Sequence, residues 1–144
     1  MTLLKKEAVY LGAELDNAID AITLSGELLV SAGYAKKEYT DAMIKGFNDV
    51  GPYIVIAPGI AIPHSRPEKG ALKTGFSLVR LKDPINFGHD KNDPVQLVCA
   101  ITGTGNNGHI EMLQKIAIIL GDREKHKQIL EAKNFGDIAQ IITI

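Results

Sequence analysis

The chain has 144 residues, 45% of them apolar and 23% charged, with a mean hydropathy of +0.03. That is a globular composition, long enough to bury roughly two-thirds of the unfolded surface without disulfides or a structural metal, and it excludes a disordered tail. The 16 Lys and Arg against 17 Asp and Glu leave a net charge of −1, which excludes a strongly basic nucleic-acid binder, and the single cysteine excludes an intramolecular disulfide or a cysteine zinc site.

Residues 1–7 lack the apolar stretch and cleavage site of a secretory signal, and no apolar run approaches the roughly 20 residues that cross a bilayer. The expected location is therefore the cytoplasm, without membrane insertion. No repeat, linker or low-complexity tract interrupts the chain, so residues 1–144 read as a single domain. Asp16 can cap a helix running to about residue 32, with Gly33 as its stop and Ala18, Ile19, Ile22, Leu29 and Val30 on one face. A second helix over 37–50 carries Tyr39, Ala42, Met43, Phe47 and Val50 at helical spacing and ends at Gly51-Pro52. Strands follow at 53–57 and 60–62, around the turn Pro58-Gly59, then at 75–81, closed by Asp83-Pro84. The nearly unbroken apolar run within 94–102 suits a central strand covered on both faces. Helices return at 108–120 and 123–132, and 138–142 reads as helix or strand. The expected class is α/β or α+β: a mixed β-sheet flanked by helices, a single-domain sandwich.

Two stretches hold polar residues that a plain connection does not require. In Pro58-Gly59-Ile60-Ala61-Ile62-Pro63-His64-Ser65-Arg66-Pro67, prolines stiffen the backbone on both sides of a histidine. His64, beside Ser65 and Arg66, reads as a nucleophile or an acid–base group, or else as a strand-end histidine that only bonds a carbonyl. In Gly103-Thr104-Gly105-Asn106-Asn107-Gly108-His109, glycines let backbone amides approach an anion at a helix N-terminus, and His109 adds a donor in the first turn. A strand-to-helix loop explains the glycines but not the histidine. The same stretch matches G-x-G-x-x-G, but only 36 residues follow Gly108, too few for the rest of a dinucleotide-binding sheet.

The other candidates carry less. His89 reads as a turn residue, His126 as part of a charged helical face, and Cys99 as an inert buried thiol. Arg66, Lys69 and Lys73 read as a solvated run as readily as an anion site. A zinc site of His64, His89 and His109 lacks any closely spaced ligand pair. Phosphoryl chemistry fits both stretches. One histidine accepts the group, while the second, the loop amides and the helix terminus meet the charge of about 1.5 to 2 that it brings. No Walker A lysine is present, which points to a relay between proteins rather than to bound ATP.

At these residues the chain resembles the enzyme IIA component of the phosphoenolpyruvate-dependent sugar phosphotransferase system, mannitol/fructose type, over residues 16–142. The family motif G-[IV]-A-[IVLM]-P-H stands as Gly59-Ile60-Ala61-Ile62-Pro63-His64, and the N-N-x-H-I loop as Asn106-Asn107-Gly108-His109-Ile110. The resemblance implies that His64 takes a phosphoryl group from the carrier HPr and passes it to a cysteine of an enzyme IIB, serving a membrane enzyme IIC indirectly. His109 would stabilise the group. No cofactor is implied. The stretches 51–59, 64–68 and 73–79 look most like the ascorbate-specific branch. A regulatory module, whose phosphorylation state controls a partner protein, is the alternative reading. Mannitol-type members carry a phosphoryl-binding arginine near the position of Asn48; here Arg66 is the expected substitute, and Ser65 replaces a common glycine.

Overall fold

Asn17 is the side chain that starts the first helix. In the computed structural model, which describes residues 3–144, its Oδ1 accepts from the Asp20 N–H at 2.9 Å and satisfies a donor that the first turn leaves open. Asp16, the expected cap, therefore lies one residue outside the helix. Helix α1 spans Ala18–Ser31, and the chain leaves it through Gly33 at φ +81°, a conformation that other residues adopt only with strain. Helix α2 spans Lys37–Val50, as its periodicity predicts. Val30 turns out to be 39% exposed, because its neighbour Leu29, about 100° away around the helix, takes the core. Val50, in the last turn of α2, is 70% exposed.

A strand that the sequence pattern did not announce precedes both helices. A short 3-10 turn over Lys6–Ala8 leads into β1, Val9–Ala13. Val9, Leu11 and Ala13 are more buried than Tyr10 and Gly12, and the register with its partner strand shifts between Leu11 and Ala13. The remaining strands are β2 (Val55–Ala57), β3 (Ile60–Ala61), β4 (Gly75–Phe76), β5 (Leu78–Ile85), β6 (Val95–Val98) and β7 (Ile101–Thr102). Five of them form one mixed sheet in the order β1-β5-β6-β3-β2, and β4 pairs with β7 in a small second sheet. The β1–β5 and β3–β6 pairs are parallel; β5–β6 and β2–β3 are antiparallel.

Three boundaries differ from expectation, the first being that the run 75–81 is divided at Ser77 between β4 and β5, which lie in different sheets. Asp83-Pro84 does not close β5, which continues to Ile85. Pairing with β1 ends at Leu81, so the missing N–H of Pro84 costs no ladder bond on that side. The apolar run of 94–102 forms two strands because the chain changes sheets at Cys99 and Ala100. Hydrogen bonds still cross the change, from Cys99 N–H to Ala61 O and from Ser77 N–H to Ala100 O, both at 2.9 Å.

The sheet is covered on both faces, which explains the unbroken apolar run. Successive residues alternate between two cores. Ala61, Val79 and Val98 face α1 and α2, whose Ile22, Leu29, Tyr39 and Met43 meet them. Ile60, Ile62, Leu78 and Leu97 face the C-terminal helices α3 (Gly108–Gly121), α4 (Arg123–Glu131) and α5 (Phe135–Ile141), which contribute Met112, Ile116, Leu120, Ile129 and Ile138. The 138–142 segment is thus helical. This is the expected helix-flanked mixed sheet, with β3 delivering its carboxyl end, and the residues after it, to one edge of the sandwich.

Candidate functional site

The backbone leading to His64 is bonded on both flanks before the side chain appears. Ile62 N–H donates to Ile54 O at 2.8 Å, and Ile101 N–H donates to Pro63 O at 3.0 Å. His64 then folds its ring back, so that Nδ1 lies 2.8 Å from the Ile62 carbonyl. A carbonyl can only accept, so Nδ1 carries the proton and the neutral ring holds its free lone pair on Nε2. The ring also meets the edge of Tyr53, with centroids 5.8 Å apart and planes at 82°. Burial lowers the imidazole's pKa from the ordinary 6.5; the Ile62 bond opposes this, and the charge of His109 adds to it.

The residue after His64 is held from the opposite side. Ser65 N–H donates to the Tyr39 hydroxyl at 3.0 Å, and that hydroxyl donates to Ile101 O at 2.7 Å. Burial pushes the Tyr39 phenol up to about 12 despite the bond to the Ser65 backbone, so the hydroxyl keeps its proton at neutral pH.

His109 reaches the same place from α3. A Cβ on Gly103 would lie 2.0 Å from the His109 backbone nitrogen, so only glycine lets the loop pass this close beneath the helix start. The first glycine of the loop thus serves helix docking. Asn107 occupies the N-cap position without making a side-chain capping bond, which leaves first-turn N–H groups and the positive dipole end open. Nδ1 of His109 is buried and has no partner among the described residues. Thr104 N–H donates to Thr74 Oγ1 at 3.2 Å and ties down the exposed part of the loop.

These elements enclose an open cavity of about 360 Å³ lined by Tyr53, His64, Ser65, Arg66, His109, Ile110 and Leu113. All four residues expected at the site therefore share one cleft. Arg66 also borders a contiguous cleft with Gly105, Asn106 and His109; it is exposed, and its contact with Glu68 spans 4.0 Å, too long and too solvated to occupy the guanidinium. Asn48 is exposed and does not line the cavity. Lys69 and Lys73 are exposed and stay outside it as well.

The remaining histidines lie elsewhere. Nδ1 of His89 accepts from Lys91 N–H at 3.2 Å and Asn92 N–H at 3.1 Å, at the end of β3 opposite His64, where Asn92 O meets Gly59 N–H. His126 is half-buried rather than exposed and lines a separate cleft beside Ala57 and Pro58. Cys99 is fully buried, and burial pushes its thiol pKa up, away from reactivity.

Sequence reading missed the groups that hold the site in shape. Tyr39 read as a core residue, yet a buried tyrosine must place its hydroxyl somewhere, and that requirement was the available signal. Tyr53 and Leu113 read as ordinary strand and helix positions, and Ile110 only as the last residue of the N-N-x-H-I loop.

A helix-covered mixed sheet thus presents two imidazoles in one surface cleft, one of them held by its Nδ1 against a backbone carbonyl. The sequence profile described as "Phosphoenolpyruvate-dependent sugar phosphotransferase system, EIIA 2" matches residues 2–144. The "Ascorbate-specific PTS system EIIA component" of Escherichia coli (strain K12) is 36% identical over 142 residues, covering 98% of this chain and 92% of that one. Its counterpart in Salmonella typhimurium is 34% identical with the same coverage. Among solved structures, the mannitol-specific cryptic phosphotransferase enzyme IIA CmtB of Escherichia coli superposes with a TM-score of 0.84 at 31% identity, over 98% of this chain and 97% of its own. Enzyme IIAMTL of Escherichia coli, solved in complex with phosphorylated enzyme IIBMTL, gives 0.83 at 26% identity, over 96% and 95%. The chain belongs to the EIIA type 2 family of the phosphoenolpyruvate-dependent sugar phosphotransferase system, and it is a phosphotransferase component. No helix among the described residues is long and apolar enough to cross a membrane.

Proposed function

We propose that this protein is a cytoplasmic phosphocarrier in which His64 accepts a phosphoryl group from phospho-HPr and passes it to a cysteine of a cognate enzyme IIB, which in turn serves a membrane enzyme IIC. The observation that carries this reading is the bond from His64 Nδ1 to the Ile62 carbonyl. It fixes the tautomer and leaves Nε2 as the nucleophilic atom. The Nε2 lone pair attacks phosphorus, the P–N bond of the donor breaks, and its electron pair returns to the donor imidazole. The product ring is an imidazolium with Nδ1–H still bonded to Ile62 O, so the carbonyl dipole stabilises the positive charge that forms. Onward transfer reverses the roles: a thiolate attacks phosphorus and the electron pair returns to Nε2.

The incoming oxygens need donors. A buried N–H without a partner costs about 1–3 kcal/mol, more than a bare ring lone pair does, so the unpartnered Nδ1 of His109 is assigned as the lone pair. His109 then carries its proton on Nε2 as a donor. Ser65, Arg66 and the open first turn of α3 complete the set, with Arg66 in the role that Asn48 cannot fill. Support for enzyme IIB as acceptor comes from the related enzyme IIAMTL, solved with phosphorylated enzyme IIBMTL. Support for ascorbate or a related sugar comes from the ascorbate-specific EIIA relatives.

The test is intact mass spectrometry after incubation with phosphoenolpyruvate, enzyme I and HPr. Wild type gains one acid-labile phosphoryl group and His64→Ala gains none. Labelling of both proteins at equal rate would overturn the nucleophile. Absence of label in wild type, with HPr itself phosphorylated, would overturn the relay.

A further inference from the structure

The two histidine-bearing segments come from distant parts of the chain, and one buried oxygen joins them. Tyr39 is fully buried in α2, on the sheet face opposite the C-terminal helices. Its hydroxyl has one proton and two lone pairs. The proton goes to Ile101 O at 2.7 Å, the shorter of two carbonyl contacts; Ser65 O stands at 3.2 Å. A lone pair receives Ser65 N–H at 3.0 Å. Ser65 directly follows His64. Ile101 starts β7 and continues through Thr102 to Gly103, the residue packed against the His109 backbone. Ile101 N–H also holds Pro63 O at 3.0 Å. The chain on either side of His64 and the root of the loop that carries His109 are therefore bonded to each other directly and through one phenol.

We propose that Tyr39 is a positioning residue for phosphoryl transfer: its hydroxyl sets the placement of His64 relative to His109 by clamping Ser65 to Ile101. This rests on the relay reading above. Tyr39 touches no phosphoryl group; it acts through the backbone of Ser65 and Ile101, which no other side chain among the described residues bridges. A benzene ring in its place fills the same core volume but leaves Ser65 N–H and Ile101 O without that partner, so the His64 turn is free to shift. Attack by a fixed imidazole on a group held by separate donors is sensitive to such a shift, and a misplacement near 1 Å costs about 10²-fold in rate.

The experiment compares wild type, Tyr39→Phe and His64→Ala for phosphoryl uptake from phospho-HPr by rapid quench, with kcat and KM separated, and for the lifetime of the phosphohistidine after HPr is removed. Tyr39→Phe should keep KM, lose about ten- to a hundredfold in kcat, and shorten the phosphohistidine lifetime, because the group sits less squarely against its donors. A variant with a lowered melting temperature but wild-type kcat and lifetime would make Tyr39 a purely structural residue and overturn the inference. Should Tyr39→Phe fail to fold, 3-fluorotyrosine at position 39 keeps the ring and hydroxyl while weakening the oxygen as an acceptor. A kcat below wild type then supports the clamp, and an unchanged kcat rejects it. Failure of wild type itself to take up phosphate would reject the relay reading instead, so the two failures are told apart.

Discussion

The two segments that meet in the cleft are built on opposite plans. At His64, backbone bonds flank the ring on both sides, the ring bonds its own strand, and the next amide is held by a buried phenol. At His109, Thr104 to Asn107 are exposed, and Asn107 leaves the first-turn N–H donors of the helix uncapped. The first plan suits an atom that must attack along a fixed line. The second suits a receptor that completes its hydrogen bonds only when an anion arrives. The contrast teaches that unmet polar capacity, costly in an empty site, is placed where the charged product will sit.

Removing the nucleophile breaks the comparison outright: His64→Ala leaves no phosphorylated species, as the mass measurement above reads. Removing the receptor is the next largest effect. His109→Ala should still be labelled, but about 10²- to 10³-fold more slowly, the loss that follows deletion of one preorganised donor. Rapid quench with phospho-HPr measures it; uptake at the wild-type rate would strip His109 of its role. Gly103→Ala sharpens the contrast by disturbing only the second segment. A methyl group 2.0 Å from the His109 nitrogen must push α3 away, at a cost of about 1–3 kcal/mol in stability. Urea denaturation should show that loss. Amide shifts in the NMR spectrum should move at His109 and Ile110 and stay in place at Ser65.

Much of this was legible in the sequence, and the unread part has physical causes. Both histidines, the capping region of α1, the bounds of α2 and the helices α3 and α4 follow from spacing and punctuation that act over a few residues, whereas 138–142 read equally as helix or strand. The strand β1 was missed because its pairing with β5 lies some 69 residues away, from Val9 to Leu78, and a half-exposed edge with a glycine carries little local signal. The apolar run of 94–102 was read as one strand because burial on both faces hides a change of partner. Tyr39 escaped for the same reason as β1. Its ring belongs to the helix periodicity that was read, whereas its hydroxyl answers to Ile101, 62 residues on. Local pattern names the chemistry-bearing side chains; long-range bonds decide how they are held.

The smallest expected effect concerns pH, and it separates the two plans by charge rather than by structure. Burial holds the His64 pKa below 6.5, with the neighbouring His109 charge acting in the same direction. The nucleophile is the neutral ring, so uptake fails as pH falls through the folded value, not through the ordinary one. At pH 6 an unperturbed imidazole of pKa 6.5 would retain only about a quarter of its neutral form; His64 should retain more, so its rate loss between pH 7.5 and 6 stays under the roughly fourfold of an unperturbed ring. The same shift carries a sign for stability. The folded state disfavours the imidazolium, so the unfolded chain binds the extra proton first. Acidification from 6.5 downward therefore destabilises the fold until His64 itself is protonated. Titration of the His64 ring by NMR gives the midpoint independently of HPr, whose own histidine also titrates. A midpoint at or above 6.5 would mean that the Ile62 carbonyl outweighs burial, and the clamped ring would then be half charged near neutrality and a weaker nucleophile than its geometry implies.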